Sequence, residues 1–277
     1  MKSTGTRNCL FLSDFQAGDR LAMSPDYLGG SEVQNKLFLN YKECLDWFAE
    51  QNKSEKFIII FGAEWFQGMW VRFDAERMPL QFKILTEILK AIKEHISAEI
   101  VKSYLLTGNE IHTGVLNSWQ EIASDFKFAD ELNMVQTPLG KWSWPALKIK
   151  FPNDAVLQAT HFFNATSIYP LTAYQREYKE MAYDHALTGD QPADFYYRAH
   201  IHRAGCFPLE DHPRTTVGVF TTPGWQLKGE YVHKKLTRLK RTQYGLAMTT
   251  IQNINGKDKI VLKQKTETIK ESHIEVA

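Results

Sequence analysis

Apolar positions along the chain fall into short continuous runs separated by longer stretches of helical spacing. Cys9-Leu10-Phe11-Leu12 is a four-residue apolar run that stops at Ser13-Asp14, the pattern of a buried strand. From Val33 the apolar positions are Val33, Leu37, Tyr41, Cys44 and Phe48, one face of a helix. Phe57-Ile58-Ile59-Ile60-Phe61, closed by Gly62, is the most hydrophobic strand candidate. A second helical face carries Phe82, Leu85, Leu89, Ile92 and Ile96, and Tyr104-Leu105-Leu106 then runs into Gly108-Asn109. Strand and helix in strict alternation predict crossover units in a partly parallel sheet.

Beyond about Ser124 the texture becomes strand-rich. Val156 to Thr160, Phe195 to Tyr197 and Val217 to Phe220 read as strands, with one helix from roughly Thr172 to Leu187. Runs at Met248 to Ile254 and Lys259 to Gln264 flank Asn255-Gly256, a strong hairpin turn pair. The residues from Lys265 onward are polar and are expected to fray. No repeat or linker divides the chain, so residues 1–277 are expected to form one α/β domain.

The polar residues at the ends of these runs carry the functional signal. Asp14, Gln16, Glu64, Asn109, His161, His200 and His202 all lie at or just past an apolar run. In open α/β sheets, sites form outside the carboxyl ends of strands, so these residues can converge. As a ligand set they suit Mn, Zn, Fe or Ni rather than Ca or an iron–sulfur cluster. His200-Ile201-His202 adds weight, because alternate residues of an extended chain face the same way.

In order along the chain, Asp14-Phe15-Gln16, Gly62-Ala63-Glu64-Trp65-Phe66-Gln67-Gly68, Gly108-Asn109-Glu110, the lone His161, and His200-Ile201-His202 resemble the motifs of the calcineurin-like metallophosphoesterase superfamily. Thr222-Pro223-Gly224-Trp225-Gln226-Leu227 and the D-x-Q form of the first motif resemble phage and prophage members. The resemblance implies a four-layer α/β/β/α sandwich and one or two divalent transition metal ions, Mn foremost. One metal would take Asp14, Gln16 and His202, the other Asn109, His161 and His200, with the carboxylate of the second motif between them. The implied activity is hydrolysis of a phosphoester, with a phosphodiester of nucleic acid or a nucleotide as substrate.

Three positions depart from the family pattern. Gln16 stands where a histidine is usual. Ala63 occupies the strict register of the bridging aspartate, so a shift of one residue is needed to put Glu64 in that role. An aspartate at 63 would restore the register if Ala63 faces the site. Glu110 stands in place of the catalytic histidine, and His112 is near enough in sequence to protonate a leaving group instead. These departures keep a second reading open, in which the scaffold has lost catalysis and binds a protein or nucleic acid partner.

Composition narrows the rest. Hydrophobic residues make up 43% of the 277, enough for a full core, and the formal charge is +1, which by itself points to no polyanionic partner. Cys9, Cys44 and Cys206 are too few and too scattered for a disulfide framework, in keeping with a reducing compartment. No leader-like or membrane-length apolar stretch is seen, so a cytoplasmic protein is expected, in the host cytoplasm if it is phage-encoded. Lys234, Lys235, Arg238, Lys240 and Arg241 form a basic stretch that could follow a phosphate backbone or guard a strand edge. Trp65, Phe66, Trp70, Trp142 and Trp144 lie near the motifs, as core residues or as walls of a cleft.

Overall fold

The computed structural model describes residues 5–19, 21–67, 78–163, 170–189, 191–227 and 242–269. Gly68, Trp70, the basic stretch around Lys234 to Arg241, and residues 270–277 lie outside them. Strand β1 (Asn8–Leu12) leads through a 3-10 turn to α1 (Glu32–Gln51), then β2 (Lys56–Phe61), α2 (Met78–His95) and β3 (Glu99–Leu106). Short helices α3 (Glu110–Thr113), α4 (Ser118–Ala123) and α5 (Ala129–Glu131) follow, then β4 (Ser143–Trp144), β5 (Leu147–Lys150) and β6 (Val156–Ala159). Helix α6 (Pro170–Thr188) precedes β7 (Phe195–Arg198), β8 (Gly205–Pro208), β9 (Val217–Thr221), β10 (Thr242–Ile254) and β11 (Lys257–Ile269).

Helix α1 begins where its sequence says it should. Ser31 and Gln34 form a capping box: Gln34 N–H donates to Ser31 Oγ at 3.4 Å, and Ser31 N–H donates to Gln34 Oε1 at 3.1 Å.

The strands form two sheets, ordered β11-β10-β1-β2-β3-β4 and β5-β6-β7-β9-β8. β1 to β4 are mutually parallel, as are β6, β7 and β9, while β10, β11, β5 and β8 pair antiparallel. The protein is therefore a mixed α/β fold whose parallel strands present their carboxyl ends together.

Alternation along the strands sorts the core. Leu10 and Leu12 of β1 and Phe57, Ile59 and Phe61 of β2 pack with Tyr41 and Phe48 of α1 and Leu85 and Ile88 of α2. Their neighbours Cys9, Phe11, Ile58 and Ile60 point the other way, into a cluster with Leu157, Tyr197 and Phe220 of the second sheet. The Phe11 ring lies 4.7 Å from that of Tyr197 and 4.9 Å from that of Phe220. On the far side of the second sheet, Val156, Tyr196 and Val219 pack with Tyr174 of α6.

Two expectations are corrected. Ser118 to Glu131 is helical, including a π-helical turn at Ser124–Phe128, and strands resume only at Ser143. Its buried stripe is Gln120, Ala123, Ser124, Phe128 and Ala129, interrupted by two polar residues, so hydrophobic spacing does not reveal it. Gln120 is buried usefully, since its Oε1 accepts from Trp65 N–H at 3.2 Å. The chain also does not fray from Lys265: β11 continues to Ile269, paired in register with Thr242. Its outer edge is charged, and ladder pairing needs backbone rather than apolar side chains.

Candidate metal centre

Five site residues, together with Ala63 beside Glu64, stand on strained backbone. Among the described residues, eleven non-glycine positions have a left-handed φ, and Asp14 (54°), Gln16 (46°), Ala63 (81°), Glu64 (55°), His200 (68°) and His202 (47°) are six of them. Such conformations cost on the order of 1 kcal/mol each and persist where neighbours over-determine them. Here the neighbours are backbone ties between loops. Asp14 N–H donates to Ala63 O (3.2 Å), Gln16 N–H to Glu64 O (2.9 Å), Ala199 N–H to His161 O (2.9 Å), and Trp225 N–H to Asp14 O (3.0 Å).

These ties bring the ends of β1, β2, β6, β7 and β9 to one place. Glu64 Oε1 lies 2.9 Å from His161 Nε2 and 3.7 Å from His200 Nδ1, and those two nitrogens are 3.2 Å apart. Glu64 Oε2 accepts from Gln16 Nε2 at 2.9 Å. His202 Nε2 is 3.5 Å from Asp14 Oδ1 and 3.4 Å from Gln16 Nε2. Glu64-His161-His200 and Asp14-Glu64-His202 are thus two groups, each with potential ligand atoms within 4.8 Å of one another, and Glu64 belongs to both. Asp14 Oδ1 and Gln16 Oε1 are buried without a hydrogen-bond partner. Half a turn of the Gln16 amide exchanges its donor for its acceptor.

Charge in the cluster is mutual. Burial pushes the Glu64 pKa up, yet hydrogen bonds from His161 and His200, with the nearby charges of His161 and His112, hold it well below the carboxylate range. Burial opposes a charge on His161, but the hydrogen bond to Glu64 and the charges of Asp14 and Glu64 raise its pKa from 6.5 to about 9. For His202 partial burial is likewise outweighed by Asp14 and Glu64, and its pKa rises. His161 Nδ1 hydrogen-bonds the Gly62 carbonyl, which leaves Nε2 as the lone-pair nitrogen of the neutral ring.

A cation and a proton therefore compete for His161. Apparent affinity for Mn²⁺ is expected to rise between pH 6.5 and about 9, with proton release on binding. The metal-free protein behaves in the opposite sense. Its raised His161 pKa stabilises it fully below 6.5, and that contribution is lost as pH passes about 9. Calorimetric titration in buffers of different ionisation enthalpy reads the released protons, and a pH-independent affinity would contradict this competition.

Of the remaining expected residues, Asn109 starts α3, its carbonyl accepting from His112 N–H (2.9 Å) and Thr113 N–H (3.0 Å). The preceding Gly108 abuts the cluster: a Cβ there would sit 3.2 Å from Glu64 Cγ. His112 hydrogen-bonds the Gln67 carbonyl through Nδ1 at 2.7 Å. Glu110 is exposed, and its carboxylate accepts from Leu116 N–H at 3.0 Å, which ties it to the following turn. Ala63 packs in the apolar cluster between the sheets. An aspartate at 63 would put a carboxylate in that core, so the residue facing the centre is Glu64. Trp65 and Phe66 are fully buried, while the half-buried Trp142 and Trp144 spend their indole N–H groups on Asp125 and the Val135 carbonyl.

Several supporting residues have no role assigned to them by the sequence. Ser13 Oγ donates to the Asp14 carboxylate. A Cβ at Gly224 would fall 2.8 Å from His202 Nδ1 and 3.0 Å from Asp14 Cβ, so only glycine allows that approach. Arg198, two residues before His200, is buried with Glu177 of α6: Nε donates to Glu177 Oε1 at 2.8 Å and Nη1 to the Tyr197 carbonyl at 2.9 Å. Phe162 edges both His161 and His200, with ring centroids 5.0 and 5.3 Å away. Glycine, serine and phenylalanine beside a motif carry no signal until the fold shows what they touch.

No family model matches this chain, and no curated protein matches it. Among solved structures, a solution NMR structure of a Thermotoga maritima protein aligns over 94% of this chain and 100% of its own, at 12% identity and a TM-score of 0.32. A likeness of that strength carries no argument about fold or function. Among the described residues, no helix is long and apolar enough to cross a membrane.

Proposed function

We propose that this chain is a metal-dependent phosphoesterase with the four-layer α/β/β/α sandwich of the calcineurin-like metallophosphoesterases, acting on a phosphodiester in nucleic acid or a nucleotide. The observation that carries the reading is the single buried carboxylate of Glu64, shared by two groups of ligand atoms. Gln16 Oε1, buried in the cluster without a hydrogen-bond partner, fits the same use, since such an acceptor is costly unless something takes it up. The donor set of imidazole and oxygen suits Mn, with Zn, Fe or Ni as alternatives. Asp14, Gln16, Glu64 and His202 would hold one ion, and Asn109, Glu64, His161 and His200 the other.

Such ions supply Lewis acidity, which draws charge from phosphoryl oxygens and acidifies water. The chain supplies the rest. Glu64 and Asp14 supply the carboxylate oxygens of the site, and the Gly62 carbonyl fixes the His161 ring so that Nε2 faces Glu64. His112, whose Nδ1 donates to the Gln67 carbonyl, would hand a proton from Nε2 to the leaving oxygen in its doubly protonated, imidazolium form. Glu110 turns one carboxylate oxygen to Leu116 N–H.

Purified protein supplied with Mn²⁺ should hydrolyse bis(p-nitrophenyl) phosphate, lose that activity to chelator, and lose at least about a hundredfold with His200→Ala. Folded protein that hydrolyses nothing with Mn²⁺, Zn²⁺, Fe²⁺ or Ni²⁺ would instead favour the non-catalytic scaffold. Activity indifferent to His200→Ala would put the chemistry elsewhere.

A further inference from the structure

The centre is closed on one side and open on the other. The side chains of Asp14, Glu64 and His161 are at most 1% exposed, whereas those of His200 and His202 are 39% and 23% exposed. His200, the most exposed of these side chains, marks the open side. The residue beside that opening is Phe162, which is 42% exposed and directly follows His161 in the chain.

An exposed apolar side chain alone means little. Phe162 differs in how it is held. Its ring meets His161 at 79° and His200 at 61°, edge-type contacts with both imidazoles, while much of the ring stays open to solvent. A rigid aromatic surface one imidazole away from the ligand atoms is positioned for a planar group joined to the phosphate by a short spacer. In a nucleotide the sugar is that spacer. Among the described residues, the aromatic residues named near the motifs are committed elsewhere, Trp65 and Phe66 to the core and Trp142 and Trp144 to hydrogen bonds of their own.

Resting on the phosphoesterase reading, we infer that Phe162 is a stacking platform for the base of a nucleotide substrate. Phenylalanine offers no hydrogen bond to a base edge, so the platform favours a base over no base and discriminates little among bases. It is a specificity-determining residue and performs no chemistry.

Equilibrium binding to the Mn²⁺-loaded protein tests this without requiring turnover. Thymidine 5′-phosphate should bind about tenfold more tightly than ribose 5-phosphate, the scale of one base stacked on one ring. Phe162→Leu should erase that gap by weakening the nucleotide alone, and Phe162→Tyr should preserve it. Equal affinities in the parent, or a gap that survives Phe162→Leu, would overturn the platform. So would equal weakening of both ligands, which would mean that the ring only braces the imidazoles. Phosphotyrosine binding as tightly as the nucleotide would also overturn it, by showing recognition of any aryl ester. If the base-dependent gap is present but no phosphoester is hydrolysed, the platform stands and the phosphoesterase reading fails. Hydrolysis without any base preference would do the reverse, overturning the platform and leaving the phosphoesterase reading in place.

Discussion

Replacing Glu64 with glutamine is expected to abolish Mn²⁺ retention and to cut Mn²⁺-dependent phosphodiester hydrolysis by at least about a hundredfold, with the protein still folded. Glutamine keeps the shape of the side chain and removes only its charge. That charge serves both groups of ligand atoms at once, so its loss cannot be made good by the other half of the site. It also balances His161, whose pKa of about 9 depends first on overcoming burial through the hydrogen bond to Glu64. Without the carboxylate, His161 should titrate lower, which is visible in its imidazole NMR resonances. The counter-result is a Glu64→Gln protein that binds Mn²⁺ as the parent does. The scale of loss separates this change from Gln16→His, which should tighten the Asp14-side ion because imidazole is a better ligand than a neutral amide for such metals.

The largest effect on stability is expected at Glu177. It and Arg198 are both 2% exposed, paired at 2.8 Å beneath the turn that carries His200 and His202. Glu177→Ala leaves the guanidinium buried with the Tyr197 carbonyl and the Tyr196 ring, 5.5 Å away, as its named contacts. Removing one partner of such a pair costs about 3–5 kcal/mol, enough to lower the melting temperature by about 10 °C in a chain of this size. The double change Glu177→Leu with Arg198→Met should recover most of that loss, because it removes the stranded charge as well as the pair. Thermal unfolding of the three proteins decides the matter. A Glu177→Ala protein that melts with the parent would show that the pair contributes nothing net.

Where the sequence was readable, the reason was burial on both faces or along one helix face. β1, β2, β7 and β9 are short and almost wholly apolar, and α1 and α2 keep an unbroken apolar stripe. The polar residues that follow such strands therefore stood out, and six of them, Asp14, Gln16, Glu64, His161, His200 and His202, come together in the fold. The helical stretch from Ser118 to Glu131 was hidden because the polar Gln120 and Ser124 interrupt its buried face. The two-residue β4 is too short to show any period, and the outer half of β11 is polar because it forms a sheet edge. No pattern along the chain could say that His161 and His200, from the second sheet, would meet Glu64 from the first. That meeting depends on how the sheets stack, through Phe11 against Tyr197 and Phe220.

The most direct measurement is anomalous scattering at the Mn absorption edge from crystals soaked in Mn²⁺. One peak is expected between Glu64, His161 and His200, filling first because that group offers two imidazoles. A second, weaker peak is expected between Asp14, Glu64 and His202, so that the Glu64 carboxylate lies between the two. Peaks elsewhere in the molecule, or none within coordination distance of Glu64 at saturating Mn²⁺, would contradict a metal centre built on that residue.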